Sequence, residues 1–535
     1  MDSPVHTRSA PGTRWSTVNY AEAIQGVQSP LGWTYWAHTM ELSLRRAFFQ
    51  IGVFSRREVP PPASPDERTS GAFYGYAAGN VTLFRRIGDA VPGTDADALV
   101  EQMFGERRPP VPSRTPLRGR LRSLVVLVKL PVATVGQARA LGPARRGVGA
   151  WWRANVVDRP PTTAAEATEL LRDSVRWFAR VGTAHTVLTM VGQALAEQVE
   201  RLAPRGREQA SDLMTGYGSF EETAMLGDLW ELAGGRLELA EFLGRHGYHG
   251  PDEGNLTSVV WREDPAPVHR LARRYRDAEV DHPRANEARQ LARREAAERE
   301  LFAGLGAVDR VRARAVLWAA RRLIPMREVG KSGFLHALDG ARCAARTLGA
   351  RYAEAGLLAD AEDVFFLTLD ELLAGLREPA HELVERRRAD HVRFQGLRLP
   401  PAWTGDPVPE ERSEPAVAAA PAEVTELHGI GVVGDVVTGR ARVITDPADA
   451  DLDPGDVLVC RTTDPSWTPL FLVAAALVID TGGAMSHGAI VARELGVTCV
   501  INTGTGSLDI PDGATVTVDG RAGLVTIKPS DQVRP

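Results

Sequence analysis

The sequence predicts a multidomain chain with a mainly α-helical body over residues 1–403 and a small α/β domain of β/β/α type over 425–535. Three observations carry this. Apolar residues recur at helical spacing between about 160 and 400. The stretch TGDPVPEERSEPAVAAAPAE is rich in Pro, Ala and charge and has no sustained apolar period, so 404–424 is expected to be a flexible linker. After 424, short β-branched runs alternate with Gly and Asp. A chain of 535 residues fits two to four domains at roughly 100–200 residues each.

Taken in order, Pro-rich breaks at 59–66 and near 108–116 predict surface loops. Trp33 and Trp36, three apart, are expected in the core. Segment 163–181 has Thr163 as its N-cap and Glu166 three residues on, the spacing of a capping box. Leu170, Leu171, Val175, Trp177 and Phe178 follow at helix-like intervals. Helices are also predicted at 184–202, 221–243, 267–302, 307–323 and 335–358, and an extended run at Asp363–Leu367. Beyond the linker, strands are expected at 431–444, 456–460, 476–480, 498–501, 514–520 and 524–527, with helices near 468–475 and 488–495. Asp512-Gly513 and Asp519-Gly520 mark turns.

Composition excludes several function classes. Hydrophobic residues at 44% and charged residues at 24% suffice for a buried core, against wholesale disorder. A net charge of −5 gives no basic footprint, so no nucleic-acid partner is expected. The Arg-rich run 284–299 is interleaved with Glu and Ala as on a solvated helix face. Cys343, Cys460 and Cys499 are far apart and form no CxxC pair, so neither a disulfide framework nor a metal site is expected, and a cytoplasmic location fits. The N-terminus lacks the apolar core of a signal peptide. No uninterrupted apolar run reaches the ~20 residues needed to span a bilayer, so no membrane partner is expected.

The chemistry concentrates in 478–500, VIDTGGAMSHGAIVARELGVTCV. A strand runs into Thr481, Gly482 and Gly483; Ser486 then caps a helix that starts at His487 and ends before Gly496. The first N–H groups of a helix are unpaired and its dipole places partial positive charge there, so this end suits a phosphoryl group. Gly482 and Gly483 let the backbone approach closely, the Ser486 hydroxyl can donate to phosphate or cap the helix, and Gly488 leaves space beside the ring. A neutral imidazole is nucleophilic near pH 7, which makes His487 the catalytic candidate.

The pattern Thr481, Gly482, Gly483, Ser486, His487, Ala489, Ala492 and Arg493 resembles the phosphohistidine swivelling domain of the phosphoenolpyruvate-utilising enzymes. The run Thr463-Asp464-Pro465-Ser466-Trp467-Thr468-Pro469-Leu470 is similar to the rifampin phosphotransferases of that family, as are stretches at 19–31, 73–84, 242–265 and 362–371. The resemblance implies that His487 carries a phosphoryl group and that Thr481, Gly482, Gly483, Ser486, Gly488 and Arg493 hold it. It also implies that the linker lets the domain move. Where the family has Gly-His-Arg-Gly, this chain has Gly247-Tyr248-His249-Gly250, which leaves the acceptor unassigned. Candidate acceptor-side residues are His246, His249, Glu253, Asn80 and His336, with His246 or His249 as a general base. No glycine-rich phosphate loop with a nearby lysine occurs in the first 150 residues. No tightly bound cofactor is therefore expected, and ATP and Mg2+ are expected on a separate ATP-grasp partner. The implied reaction is of dikinase type: His487 retains the β-phosphate of ATP, AMP and phosphate leave, and a small-molecule acceptor, such as a natural product, is phosphorylated. The alternatives are a ligase acting through a phosphorylated acceptor and a binding protein that has lost its kinase half.

Overall fold

The computed structural model describes residues 3–18, 20, 24–89, 100, 117–217, 221–277, 282–412, 425–447, 450–483 and 486–528. Two compact units arise, each from separated stretches of chain. The first comprises Met1–Met190, Gly254–Ser258 and Val329–Ser413; the second comprises Val191–Glu253, Val259–Glu328 and Glu414–Pro535. The helical body expected as one piece over 1–403 is thus shared between them, and its middle joins the α/β domain. Of the linker expected over 404–424, Thr404 ends the strand Ala402–Thr404 and Glu410–Glu411 is a strand, while 413–424 lies outside the described residues.

In the first unit a four-stranded sheet runs in the order Ser70–Phe73, Tyr76–Asn80, Arg14–Ser16, Ala402–Thr404. The helix Pro30–Ile51 begins on the Ser29 cap, and Trp33 and Trp36 on it are buried as expected. Helices predicted at 163–181 and 184–202 form one, Ala164–Leu202. Gly182 at the expected break packs close instead: a Cβ there would lie 2.5 Å from Ser43 Oγ. The run 363–367 is not extended; Ala361–Phe366 is a 3-10 helix, because Asp360 and Asp363 form a capping box around its start. The helix Leu117–Trp152 was not anticipated. Its outer row of Leu124, Val125, Leu127, Val128, Val132 and Val135 is exposed. Among the described residues, only Arg122–Val157 is long and apolar enough to cross a membrane by length and composition, and little of it is buried.

In the second unit the region predicted as one helix at 221–243 divides into Glu221–Ala233 and Leu239–His246. Gly235 between them takes φ +69°, which stops the first helix. Likewise 267–302 divides into Ala266–Asp277 and Pro283–Ala303, the latter starting on a proline. An eight-stranded sheet runs in the order Thr425–His428, Leu524–Ile527, Thr515–Asp519, Val436–Val443, Val457–Cys460, Ala476–Ile479, Thr498–Ile501, Ile430–Val433. Val436–Val443, Val457–Cys460, Ala476–Ile479 and Thr498–Ile501 are parallel neighbours. Buried on both faces, the last three read as continuous apolar runs.

Alternate residues of these strands enter two different cores, as the period of two requires. Val457, Val459, Val478 and Val500 pack with Val516, Val518 and Val525. Leu458, Leu477, Ile479 and Ile501 join Phe471, Val491 and Leu495, and also Met225, Leu229, Phe242, Trp261, Val268 and Tyr275 of the helical stretch. The α/β domain and these helices therefore share one apolar core, which is why the chain divides as it does.

Candidate functional site

The central parallel strand Ala476–Ile479 delivers the chain to Thr481–Gly483 and then to the helix His487–Leu495. The carboxyl ends of parallel strands are where open α/β sheets bind ligands. Ser486 is the N-cap, accepting from the Ala489 N–H at 3.4 Å, and Gly496 closes the helix in the left-handed region at φ +68°. Thr481 donates its N–H to the Arg461 carbonyl, and the Gly483 carbonyl accepts from the Ser486 N–H. Gly482 adopts φ +145°, open to glycine, and a Cβ there would lie 2.8 Å from Ser486 Oγ. Gly488 meets the sheet, not the ring: its Cβ would lie 2.8 Å from both Ile479 Cδ1 and Thr463 Oγ1. Arg493 is six residues along the helix from His487, roughly 9 Å of axial rise. It is buried with Cys499, Glu200, Glu494 and Tyr217 around it, and burial lowers its pKa. The structure does not bring Arg493 to the imidazole.

The His487 ring is only 2% exposed, yet its surroundings are polar. Nε2 lies 3.3 Å from Thr468 Oγ1, and Nδ1 lies 3.9 Å from Glu222 Oε1. Glu328 completes the group: one donor atom from each of Glu222, Glu328 and His487 lies within 4.8 Å of the others. All three side chains are buried. Glu222 sits in the first turn of Glu221–Ala233, and the helix Thr468–Phe471 packs against that helix.

The Gly/Pro-rich loop after Leu239–His246 approaches the same end of the domain. The backbone N–H of Asp252 donates to Asp464 Oδ2 at 3.1 Å. Asp464 caps the short turn Pro465–Trp467, which leads directly to Thr468. Behind it, His249 Nδ1 and Glu253 Oε2 form a buried couple at 2.7 Å. His246 Nε2 pairs with Asp228 Oδ2 at 2.7 Å; burial holds His246 below its ordinary pKa, while the hydrogen bond from His246 holds Asp228 down. Burial raises Asp252.

Two sequence candidates belong to the other unit. Asn80 caps Val81–Gly88 through Oδ1 and donates Nδ2 to the carbonyls of Asp66 and Arg68, so its amide is fully used by the backbone. His336 Nδ1 lies 2.7 Å from the Ser332 carbonyl, with the ring edge-on to Trp152.

Spacing gave no sign that Glu222, Glu328 and Thr468 come together at His487. Thr468 lies inside the motif noted at 463–470, and Glu328 ends the run Met326-Arg327-Glu328, whose place in the sequence points to His336 and not to His487. Glu222 carries no local signal, because an acidic residue in a first helical turn is common.

Residues 452–523 match the mobile domain of the phosphoenolpyruvate-utilising enzymes, and residues 164–328 match the fourth domain of rifampicin phosphotransferase. An uncharacterised protein of Mycobacterium tuberculosis is 39% identical over 217 residues, 41% of this chain and 25% of its own length. The rifampicin phosphotransferase of Streptomyces sviceus is 31% identical over 391 residues, 68% of this chain and 43% of that protein. That of Bacillus subtilis is 28% identical over 359 residues, 64% of this chain and 40% of that protein. The matched part of this chain spans less than half the length of each relative.

Proposed function

Because the chain carries the mobile domain of the phosphoenolpyruvate-utilising enzymes together with a stretch of rifampicin phosphotransferase type, we propose that it transfers phosphoryl groups through His487. The observation that carries this reading is the position of that imidazole. It stands at the amino end of a helix, after a glycine loop, at the carboxyl end of the central parallel strand, with Nε2 beside Thr468. Phosphoryl transfer asks for in-line positioning and charge stabilisation more than covalent assistance. The backbone N–H groups of the first helical turn supply the second need.

In the proposed cycle the α/β domain leaves the helices of its unit and presents His487 to an ATP-grasp partner. The histidine takes the β-phosphate of ATP as the bond to AMP breaks, and water takes the γ-phosphate away as inorganic phosphate. The partner holds ATP and Mg2+, and the reaction runs in the cytoplasm. The domain then returns to the packing seen here, where a bound small molecule with a hydroxyl group accepts the phosphoryl group. Tethering raises the carrier's effective concentration at both stations. Support for the return station is the wall around the ring, built from Glu222 and Glu328 of the helical stretch and Thr468 of the mobile domain.

The test is labelling of the full chain with β-labelled ATP in the presence of the ATP-grasp partner. An acid-labile label on His487, absent in His487→Ala, is expected. Labelling that survives in His487→Ala overturns the reading. Chemical phosphorylation by phosphoramidate provides a partner-free arm, with the same dependence on His487.

A further inference from the structure

We propose that Glu222, Glu328 and His487 form a binding site for one divalent cation of the Mn2+ or Zn2+ class. One donor atom from each lies within 4.8 Å of the other two, and the residues are 5%, 2% and 2% exposed. Metal–donor distances of about 2.0–2.2 Å require only small side-chain rotations to close such a set.

An independent observation points to a ligand. Neither carboxylate oxygen of the buried Glu328 makes a hydrogen bond. Among the described residues, Arg327 pairs with it through Nε at 3.8 Å from Oε1, beyond hydrogen-bond reach. A buried carboxylate in that condition is costly, and a second carboxylate beside it adds repulsion. A divalent cation relieves both.

The donor set indicates which cation. An imidazole favours transition metals over Mg2+, which demands an octahedral shell of oxygens. Three protein donors leave coordination positions open, as in catalytic metal sites, whereas structural sites are closed by four. Nδ1 is the ring nitrogen that faces Glu222, so the ion takes Nδ1 and leaves Nε2, beside Thr468, to carry phosphate. The ion's role rests on the carrier reading, although its binding does not. Its open positions accept oxygens of the phosphoryl group or the acceptor hydroxyl, offsetting the two carboxylates and lowering the proton affinity of that hydroxyl.

The experiment is titration of the chelator-treated, unphosphorylated full chain with Mn2+, following free Mn2+ by electron paramagnetic resonance, with Zn2+ in competition. One ion per chain at micromolar concentration is expected. Glu222→Gln and Glu328→Gln should each weaken binding by about tenfold or more. Glu385→Gln, an exposed carboxylate elsewhere, should leave it unchanged. Circular dichroism checks folding, and Glu328→Asp, which keeps the charge, should bind between wild type and Glu328→Gln. The proposal is overturned if the wild type takes neither ion below millimolar concentration, or if both Gln variants bind as it does. No phosphate is present, so such a failure leaves the carrier reading standing; loss of the acid-labile label would have the opposite meaning.

Discussion

Thr468 and Glu222 face different nitrogens of one imidazole, and the difference assigns them different work. A hydroxyl beside Nε2 can orient the reacting nitrogen, while a carboxylate beside Nδ1 draws positive charge to that nitrogen, a proton or in its place a metal ion, and so directs reaction to Nε2. Thr468→Val is therefore expected to slow discharge of phospho-His487 by about tenfold, since general acid–base contacts contribute about 10²–10⁴ and this group only positions. Rapid-quench timing of label loss checks it. Ser486→Ala removes the cap of the same helix and should cost about 1 kcal/mol, read as a lower urea midpoint for the second unit. His487, Ser486 and Gly496 were legible in the sequence because capping is local chemistry, complete within one turn of chain. Glu222 and Glu328 were not, since they reach the ring from remote helices whose own composition is ordinary. Gly488 was expected to leave space beside the ring, but the space it leaves is taken by Thr463 and Ile479, which only the fold brings there.

At the scale of elements, the helix His487–Leu495 packs along Pro283–Ala303, and the contact has a titratable group in it. Burial raises Glu494 to about 7, opposed by the Tyr217 backbone N–H and by Arg294. In a separated domain this carboxyl would lose its proton near the ordinary 4.5, so packing takes up a proton between those values. The packing is then firmest below that window, weakens as pH rises through it to about 7, and is level above. Hydrogen exchange of the helix amides, corrected for intrinsic rates, should show protection falling from pH 5 to pH 7. Glu494→Gln should flatten the profile. The strands from 456 onward were legible almost to the residue, because continuous β-branched runs bounded by Gly and Asp have few other uses. The run expected at 431–444 instead divides at Gly434, φ +98°, into Ile430–Val433 and Val436–Val443, which are not neighbours in the sheet, and the strand Thr425–His428 was not anticipated. The helix boundaries were less so. Gly182 lies between the helices expected at 163–181 and 184–202 but serves close packing inside one helix, and Gly235 stops a helix where apolar spacing alone continues it.

For the molecule as a whole, the interleaving of the two units was not legible. Nothing in a linear reading shows that 191–328 shares a core with 425–535 while its flanks do not. The Pro-rich stretch before 425 is where the chain passes from the first unit to the second, but the second unit also takes in 191–253 and 259–328. A fragment covering 425–535 should therefore behave poorly on its own. Its Trp467, Phe471 and Val491 lose Met225, Phe242 and Tyr275, and light scattering with dye binding should report exposed apolar surface that the full chain lacks.

The shared core also constrains whoever meets the carrier away from home. Lifting the imidazole out strips cover from greasy neighbours such as Trp467 and Phe471, so a wholly hydrophilic host would make a poor charging station. On the proposed cycle, the partner that loads this histidine should wear an oily palm shaped to the same hand, and that surface is a criterion for recognising it.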